Sequence, residues 1–341
     1  MLSHRDRVYA SIRRQGRLDA LPWQFDLTTA VIEKLRAYYS PQDWQIALGD
    51  HITKVKPRPF EGPGEDLERG LRRDEFGVVW RRAARDIQIG NWGELVDTPL
   101  SGPTLRGYPF PDAPPPDLWA DLPSIRAAQP GQFLVADGFG LFEHGWALCG
   151  FENYLAYTSS APHFVQELTA RLADYSCAHT ALLAGLGCDG IRFGDDWGFQ
   201  DRLMVRPETW RRLYKAHYGR IYGAARDLGL VVMIHSCGDI TALLPDLIDV
   251  GVEVVHPLQP EAMDVAWCQR EYGRDLSFWG GLGSQSTLPL GTAEDVRREV
   301  RDRLDLFRDG GYILAPAGAA PADTPAENIA AIVEVARAQM G

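Results

Sequence analysis

The stretch VVMIHSCGDI, residues 231–240, ends an apolar run with a histidine and a cysteine two positions apart. In an extended strand, residues i and i+2 share a face, so His235 and Cys237 point the same way. Imidazole nitrogen and thiolate sulfur both suit zinc, at about 2.0–2.3 Å in a tetrahedral shell. The same pair also suits a hydrogen-bonded histidine beside an inert buried cysteine. Spacing alone leaves both readings open. His256 ends the next apolar run, before Pro257, and is either a third ligand or a structural histidine bonded to a backbone carbonyl.

Other polar residues collect at the ends of apolar runs. Asp195 and Asp196 are adjacent, so in a strand they face opposite ways. Asp196 is a candidate ligand, orienting acceptor or general base, and Asp239 a second candidate for handling a proton. Each could equally cap a turn or helix. Asp195, Trp197, Gln259 and Gln285 are candidate substrate contacts. Gln24, Asp26, Asp137, Gln200 and Ser284 also fall at run ends, and Glu143 with His144 lies in a following loop. Trp146, Trp197 and Trp279 are either pocket walls or plain packing. Arg192 and Arg202 flank the group and could hold a carboxylate, with solvated surface as the plainer role.

These residues need a scaffold that gathers strand ends. From residue 132 the chain alternates regularly: apolar strands at 132–138 and 188–196, then VVMIHSCG, VEVVHPLQ, LSFWGGLGSQ and YILAPAG, each followed by a helical stretch. One of those stretches, 153–187, has a break expected near Pro162, and another, 206–229, begins with proline in its first turn. Six strand–helix alternations imply a parallel sheet with right-handed crossovers. With ALPWQFD (20–26) and HITKVKPRP (51–59) as the first two strands, the count reaches eight. The expected fold is a single α/β domain, a (β/α)8 TIM barrel over residues 1–341, whose active site lies at the C-terminal ends of the strands. The first third reads as irregular. Residues 57–131, with their Pro/Gly-rich runs, read as an insertion that could serve as a lid.

Bulk composition narrows the function. A net charge of −11 argues against a nucleic-acid or anionic-membrane surface. No run approaches the roughly 18 apolar residues of a membrane span, and the N-terminus lacks the apolar core of a secretory signal. The five scattered cysteines include no C-x-x-C pair, which fits free thiols or metal ligands in a cytoplasmic protein better than a disulfide framework.

The runs IHSCGDITALLPDLIDVGVEVVHPLQP, FWGGLGSQSTLPLGTAEDVRREVR and GGYILAPAGAAPADTPAENI, with GDDWGFQDRLMVRPETWRRLYKAHY, resemble the uroporphyrinogen decarboxylase superfamily over roughly residues 132–341. The resemblance implies a (β/α)8 barrel. The arginine-rich M-R-Q-A-G-R signature of true uroporphyrinogen decarboxylases is matched here by PWQFDLTTA, without arginine. The chain is more similar to the corrinoid-linked, methylcobalamin:coenzyme M type methyltransferases. In those, H-x-C after strand 5 and a cysteine in the strand-8 loop bind zinc. His235 and Cys237 match the first two, while Gly318 stands in place of the third, so either the zinc is lost or another group such as His256 or Asp196 completes the shell. The resemblance therefore implies zinc, a methyl group moved to or from a corrinoid or thiol, and a corrinoid-carrying partner protein. A homodimer is a further expectation. Alternatives are a decarboxylase of a small or aromatic carboxylic acid, and a non-catalytic ligand-binding barrel.

Overall fold

A computed structural model describes residues 1–16, 18–58, 70–81, 93–115 and 117–340. Among the described residues, ten strands form two sheets: β1 (Ile52–Val55), β2 (Leu71–Arg73), β3 (Val79–Arg81), β4 (Glu94–Asp97), β5 (Phe133–Gly138), β6 (Gly190–Gly194), β7 (Val231–His235), β8 (Val254–Leu258), β9 (Ser277–Leu282) and β10 (Tyr312–Pro316). The large sheet runs β1-β5-β6-β7-β8-β9-β10, with its recorded pairs all parallel. The gap between its edges is filled by residues 22–24. Leu314 N donates to Pro22 O (2.9 Å), Gln24 N to Leu314 O (3.1 Å), and His51 N to Trp23 O (3.0 Å). That segment is the eighth strand, so the expected TIM barrel is present and closed.

Alternation along each strand separates two cores. On β7, Val231 and Met233 face the lumen with Phe133, Val135, Val254 and Ile313, while Val232 and Ile234 join the larger core under the helices. Both faces are buried, as parallel strands require. The helix His4–Arg13 closes the N-terminal end of the barrel. Its Ser3 cap accepts from Asp6 N (3.1 Å), and Val8 and Ile12 enter the lumen core. Ser11 Oγ donates to Tyr312 O (2.8 Å), and Arg5 pairs with the buried Asp189 (2.7 Å).

Three details differ from expectation. The region between β1 and β5 contains an antiparallel sheet, β2-β3-β4, where irregular chain was expected. Its β2–β3 turn forms because Asp74 Oδ1 accepts from both Phe76 N and Val78 N (3.0 Å each). Of the Pro/Gly-rich stretch 56–70, residues 59–69 lie outside the described part. The expected helix at 206–229 is interrupted by a π turn, Arg211–Lys215, whose extra residue leaves no composition signal. By contrast, the break near Pro162 is where it was expected, between helices Phe151–Ser160 and Pro162–Gly185.

Candidate metal centre

Strands β6, β7 and β8 end in register, with Gly194 beside His235 and His235 beside His256. The loop after β6 then folds across the loop after β7. Trp197 N donates to Ser236 Oγ (2.9 Å), Asp239 N to Phe199 O (2.8 Å), and Cys237 N to Asp196 Oδ1 (2.8 Å). Two glycines permit this approach. A Cβ on Gly198 would meet Cys237 O at 2.7 Å, and one on Gly238 would meet Phe199 O at 2.4 Å; Gly238 also sits at φ +82°. The crossing loops bring Asp196 over the H-x-C pair.

Nε2 of His235 lies 3.5 Å from Asp196 Oδ1 and 3.6 Å from Cys237 Sγ. One donor atom from each of the three residues lies within 4.8 Å of the others, the only such trio among the described residues. Ligands held at about 2.0–2.3 Å in a tetrahedron stand roughly 3.3–3.8 Å apart. The two measured separations fit that shell, and three protein donors leave a fourth position open, as in catalytic zinc sites. The residues present fit a zinc ion.

His256 is placed differently from the expectation that it completes the shell. Its Nδ1 lies 2.8 Å from Nδ1 of His235, on the side of the ring away from Asp196 and Cys237. It is buried against Trp279, with ring centroids 4.5 Å apart. Burial, then Arg192, holds its pKa well below the ordinary range, so the ring is neutral. His256 thus orients the His235 imidazole, and the carboxylate oxygen nearest Nε2 of that ring is Oδ1 of Asp196.

The electrostatics of Cys237 bear on its role. Burial first, then Asp196 and Glu143, push its thiol up to about 12, with Arg192 opposing. A thiol so placed is a poor nucleophile on its own, and a cation is the natural means of ionising it. Glu143 is likewise driven well up, by burial and then by Asp196 and Asp195.

Below the trio, the lumen holds a charged group that sequence reading only partly anticipated. Arg192 on β6 donates to Asp137 Oδ1 through Nε (2.9 Å) and Nη2 (2.6 Å), and its Nη1 lies 3.8 Å from Asp26. Lys54 on β1 pairs with Asp26 (2.5 Å). Arg192 is therefore a buried lumen residue and not solvated surface. Lys54 was missed altogether. Its signal was the alternation on β1, since Ile52 faces the lumen and Lys54 must follow it.

Several other candidates act as braces. Asp195 is buried and accepts from Leu141 N (2.6 Å), Glu143 N (2.7 Å) and the Tyr218 hydroxyl, fixing the helix Phe142–Cys149. Trp197 is fully buried among Trp210 and Tyr218. Gln259 accepts from Gly238 N (3.1 Å). Asp239 Oδ1 accepts from Thr241 N (2.9 Å), a turn cap. Gln285 is exposed, and its backbone N–H donates to Glu261 (2.9 Å). His144 is buried against Phe139, and Arg202 is exposed beside Asp201.

Residues 144–339, more than half of the chain, match the family model of uroporphyrinogen decarboxylase (URO-D). The chain belongs to the uroporphyrinogen decarboxylase family. It is 24% identical over 190 residues to a methylated-thiol–coenzyme M methyltransferase of Methanosarcina mazei, covering 56% of this chain and 49% of the relative. It is 28% identical over 188 residues to the methylcobamide:CoM methyltransferase MtaA of Methanosarcina barkeri, covering 54% and 52%. The chain thus spans about half the length of these curated relatives. A solved methyltransferase structure from Methanosarcina mazei superposes with a TM-score of 0.74 over 99% of both chains at 16% identity, which shows the shared fold. Among the described residues, no helix is long and apolar enough to cross a membrane.

Proposed function

We propose that this family member is a zinc-assisted methyltransferase, moving a methyl group between a corrinoid and a small thiol. The observation that carries the reading is the trio Asp196, His235 and Cys237, three zinc-type donors converging at the barrel mouth. The methyltransferase relatives support the reaction class. Zinc held there would lower the pKa of a thiol and present it as thiolate.

The chain's own residues supply the rest. His235 offers Nε2 outward because His256 occupies its Nδ1. Asp196 also accepts the Cys237 N–H, so one carboxylate ties both loops together. In the transfer, a sulfur–carbon bond forms as the methyl–cobalt bond breaks, its electron pair staying on cobalt and the thiol proton leaving to solvent. A corrinoid carried on a partner protein docked over the mouth is the methyl source in this reading. The decarboxylase alternative needs a free cation for the substrate carboxylate, whereas Arg192 and Lys54 are already paired with Asp137 and Asp26.

The β2-β3-β4 sheet is the proposed cover of this mouth. Phe76, in its turn, packs on Phe139 (5.2 Å) and His144 (5.9 Å), and Trp80 packs on Trp146 (6.5 Å), beside Glu143. The test is direct: zinc-loaded protein with methylcobalamin and a thiol should give thiol-dependent loss of the methyl–cobalt spectrum. A zinc-loaded protein that leaves the spectrum unchanged with every small thiol overturns the reading.

A further inference from the structure

A cavity of about 520 Å³ lies between the β2–β3 turn and the segment 99–109, and none of the metal trio lines it. That volume falls in the ordinary range for a small-molecule site. Phe76, Leu100 and Tyr108 give the cavity apolar surface, while Arg73, Thr104 and Arg106 give it polar groups. Its walls are fixed by bonds. The Tyr108 hydroxyl donates to Phe76 O (2.6 Å), tying one wall to the other, and Leu100 N donates to Leu148 O (3.1 Å) on the helix Phe142–Cys149.

The two carboxylates of this cavity are engaged by their own surroundings. Asp74 Oδ1 accepts from Phe76 N and Val78 N (3.0 Å each) and its Oδ2 from Trp80 Nε1 (2.7 Å), while Glu75 Oε1 accepts from the Tyr175 hydroxyl (3.0 Å). The two arginines are not so matched. Among the described residues Arg73 donates through Nη1 to a neutral carbonyl, Gly77 O (2.7 Å), and the Arg106 guanidinium has no partner. By contrast Arg7, Arg192 and Arg211 each pair with an aspartate. Thr104 Oγ1 accepts from Arg106 N (3.2 Å), which leaves the threonine proton to be donated elsewhere. A space of this volume is of the order of 10 Å across, close to the Debye length of about 8–10 Å, so an anion inside it feels both guanidinium charges.

We propose that this cavity is a binding site for a small organic phosphate, its anionic end towards Arg106 and Arg73 and its carbon body on Phe76, Leu100 and Tyr108. A guanidinium is a permanent charge whose planar fork of donors suits phosphate oxygens. A phosphate monoester carries nearly two negative charges at pH 7, which two unmatched guanidinium groups balance. The site goes beyond methyl transfer and does not depend on it, because it shares no residue with the metal trio. It does share a turn with the cover of the mouth, since Phe76 also packs on Phe139 and His144. A ligand seated there adds contacts to that turn.

Three probes that share a phenyl ring separate charge from carbon body: phenyl phosphate, benzenesulfonate and phenol. Each is titrated calorimetrically into the full chain with a chelator present, so that no anion is read at the metal centre. Affinity should fall in that order, with phenyl phosphate at least about tenfold tighter than phenol. Arg106→Gln should weaken phenyl phosphate about tenfold and leave phenol unchanged. Arg106 is exposed and its guanidinium makes no bond among the described residues, so Tm should not move. Arg73→Gln, at the other guanidinium, should weaken phenyl phosphate as well. Phenyl phosphate that binds no more tightly than benzenesulfonate or phenol overturns the site. So does an affinity for phenyl phosphate that is unaltered in both arginine variants, because the ligand then lies elsewhere on the protein.

Discussion

His235 and His256 face each other Nδ1 to Nδ1 at 2.8 Å, so one nitrogen of the pair must carry the proton. If His235 Nε2 is to give its lone pair to a metal, His235 Nδ1 is the donor and His256 Nδ1 the acceptor. His256 then holds its own proton on Nε2, beside Trp279. The second histidine fixes both the ring angle and the tautomer of the first.

Replacing His256 by phenylalanine removes that acceptor while filling the space beside Trp279. Zinc affinity should fall about 10–100-fold, measured by competition with a chelator, with the protein still folded. Unchanged affinity would mean that His235 is oriented by packing alone.

Gly238 is the hinge of the loop crossing. Its φ of +82° and the 2.4 Å approach of a Cβ to Phe199 O make alanine strained there. The left-handed conformation alone costs about 1–2 kcal/mol for a residue with a Cβ. Gly238→Ala should lower Tm and weaken zinc binding together, because the same crossing carries Asp196 to Cys237. A variant with lower Tm and unaltered zinc affinity would separate the two.

Arg192 is buried between Asp137 and Asp26, and replacing it by methionine leaves two carboxylates without their guanidinium. Breaking one side of such a pair costs about 3–5 kcal/mol. Denaturant unfolding of Arg192→Met should show a loss of that order. A change under 1 kcal/mol would indicate that Lys54 compensates by moving.

At the opposite end of the barrel, hydrogen bonds from the buried Arg7 hold the Asp19 carboxyl far below the usual carboxylate range. The folded-state pKa is depressed, so the stabilisation is present above the unfolded value of about 3.9 and is lost as pH falls below it. Asp19→Asn should cost about 1–3 kcal/mol at pH 7. The gap between wild type and variant should narrow steadily on acidification below about pH 4. A gap independent of pH would assign the effect to packing of the helix His4–Arg13.

Much of the fold was legible because strand and helix periods alternate cleanly after residue 132. The eighth strand, residues 22–24, was legible as an apolar run although it forms only a single bridge to β10. The β2-β3-β4 sheet was hidden by proline and glycine, which mask three- and four-residue strands. At the site, His235 and Cys237 were legible from a two-residue period. The contribution of Asp196 depends on how one loop crosses another, which spacing in the chain does not record. Its neighbour Asp195 has the same chemistry and faces the helix Phe142–Cys149 instead. His256 read as a ligand because its type and strand end were right; only the side of the His235 ring that it meets distinguishes the roles.

The metal content of purified protein, measured by elemental analysis beside Asp196→Asn, Cys237→Ser and His256→Asn, tests the centre most directly. About one zinc per chain is expected in wild type, lost in Asp196→Asn and Cys237→Ser, and retained with weaker affinity in His256→Asn. Wild-type protein that takes up no zinc when it is offered, or zinc kept in Asp196→Asn and lost in His256→Asn, would contradict the assignment of Asp196, His235 and Cys237 as the metal-binding trio.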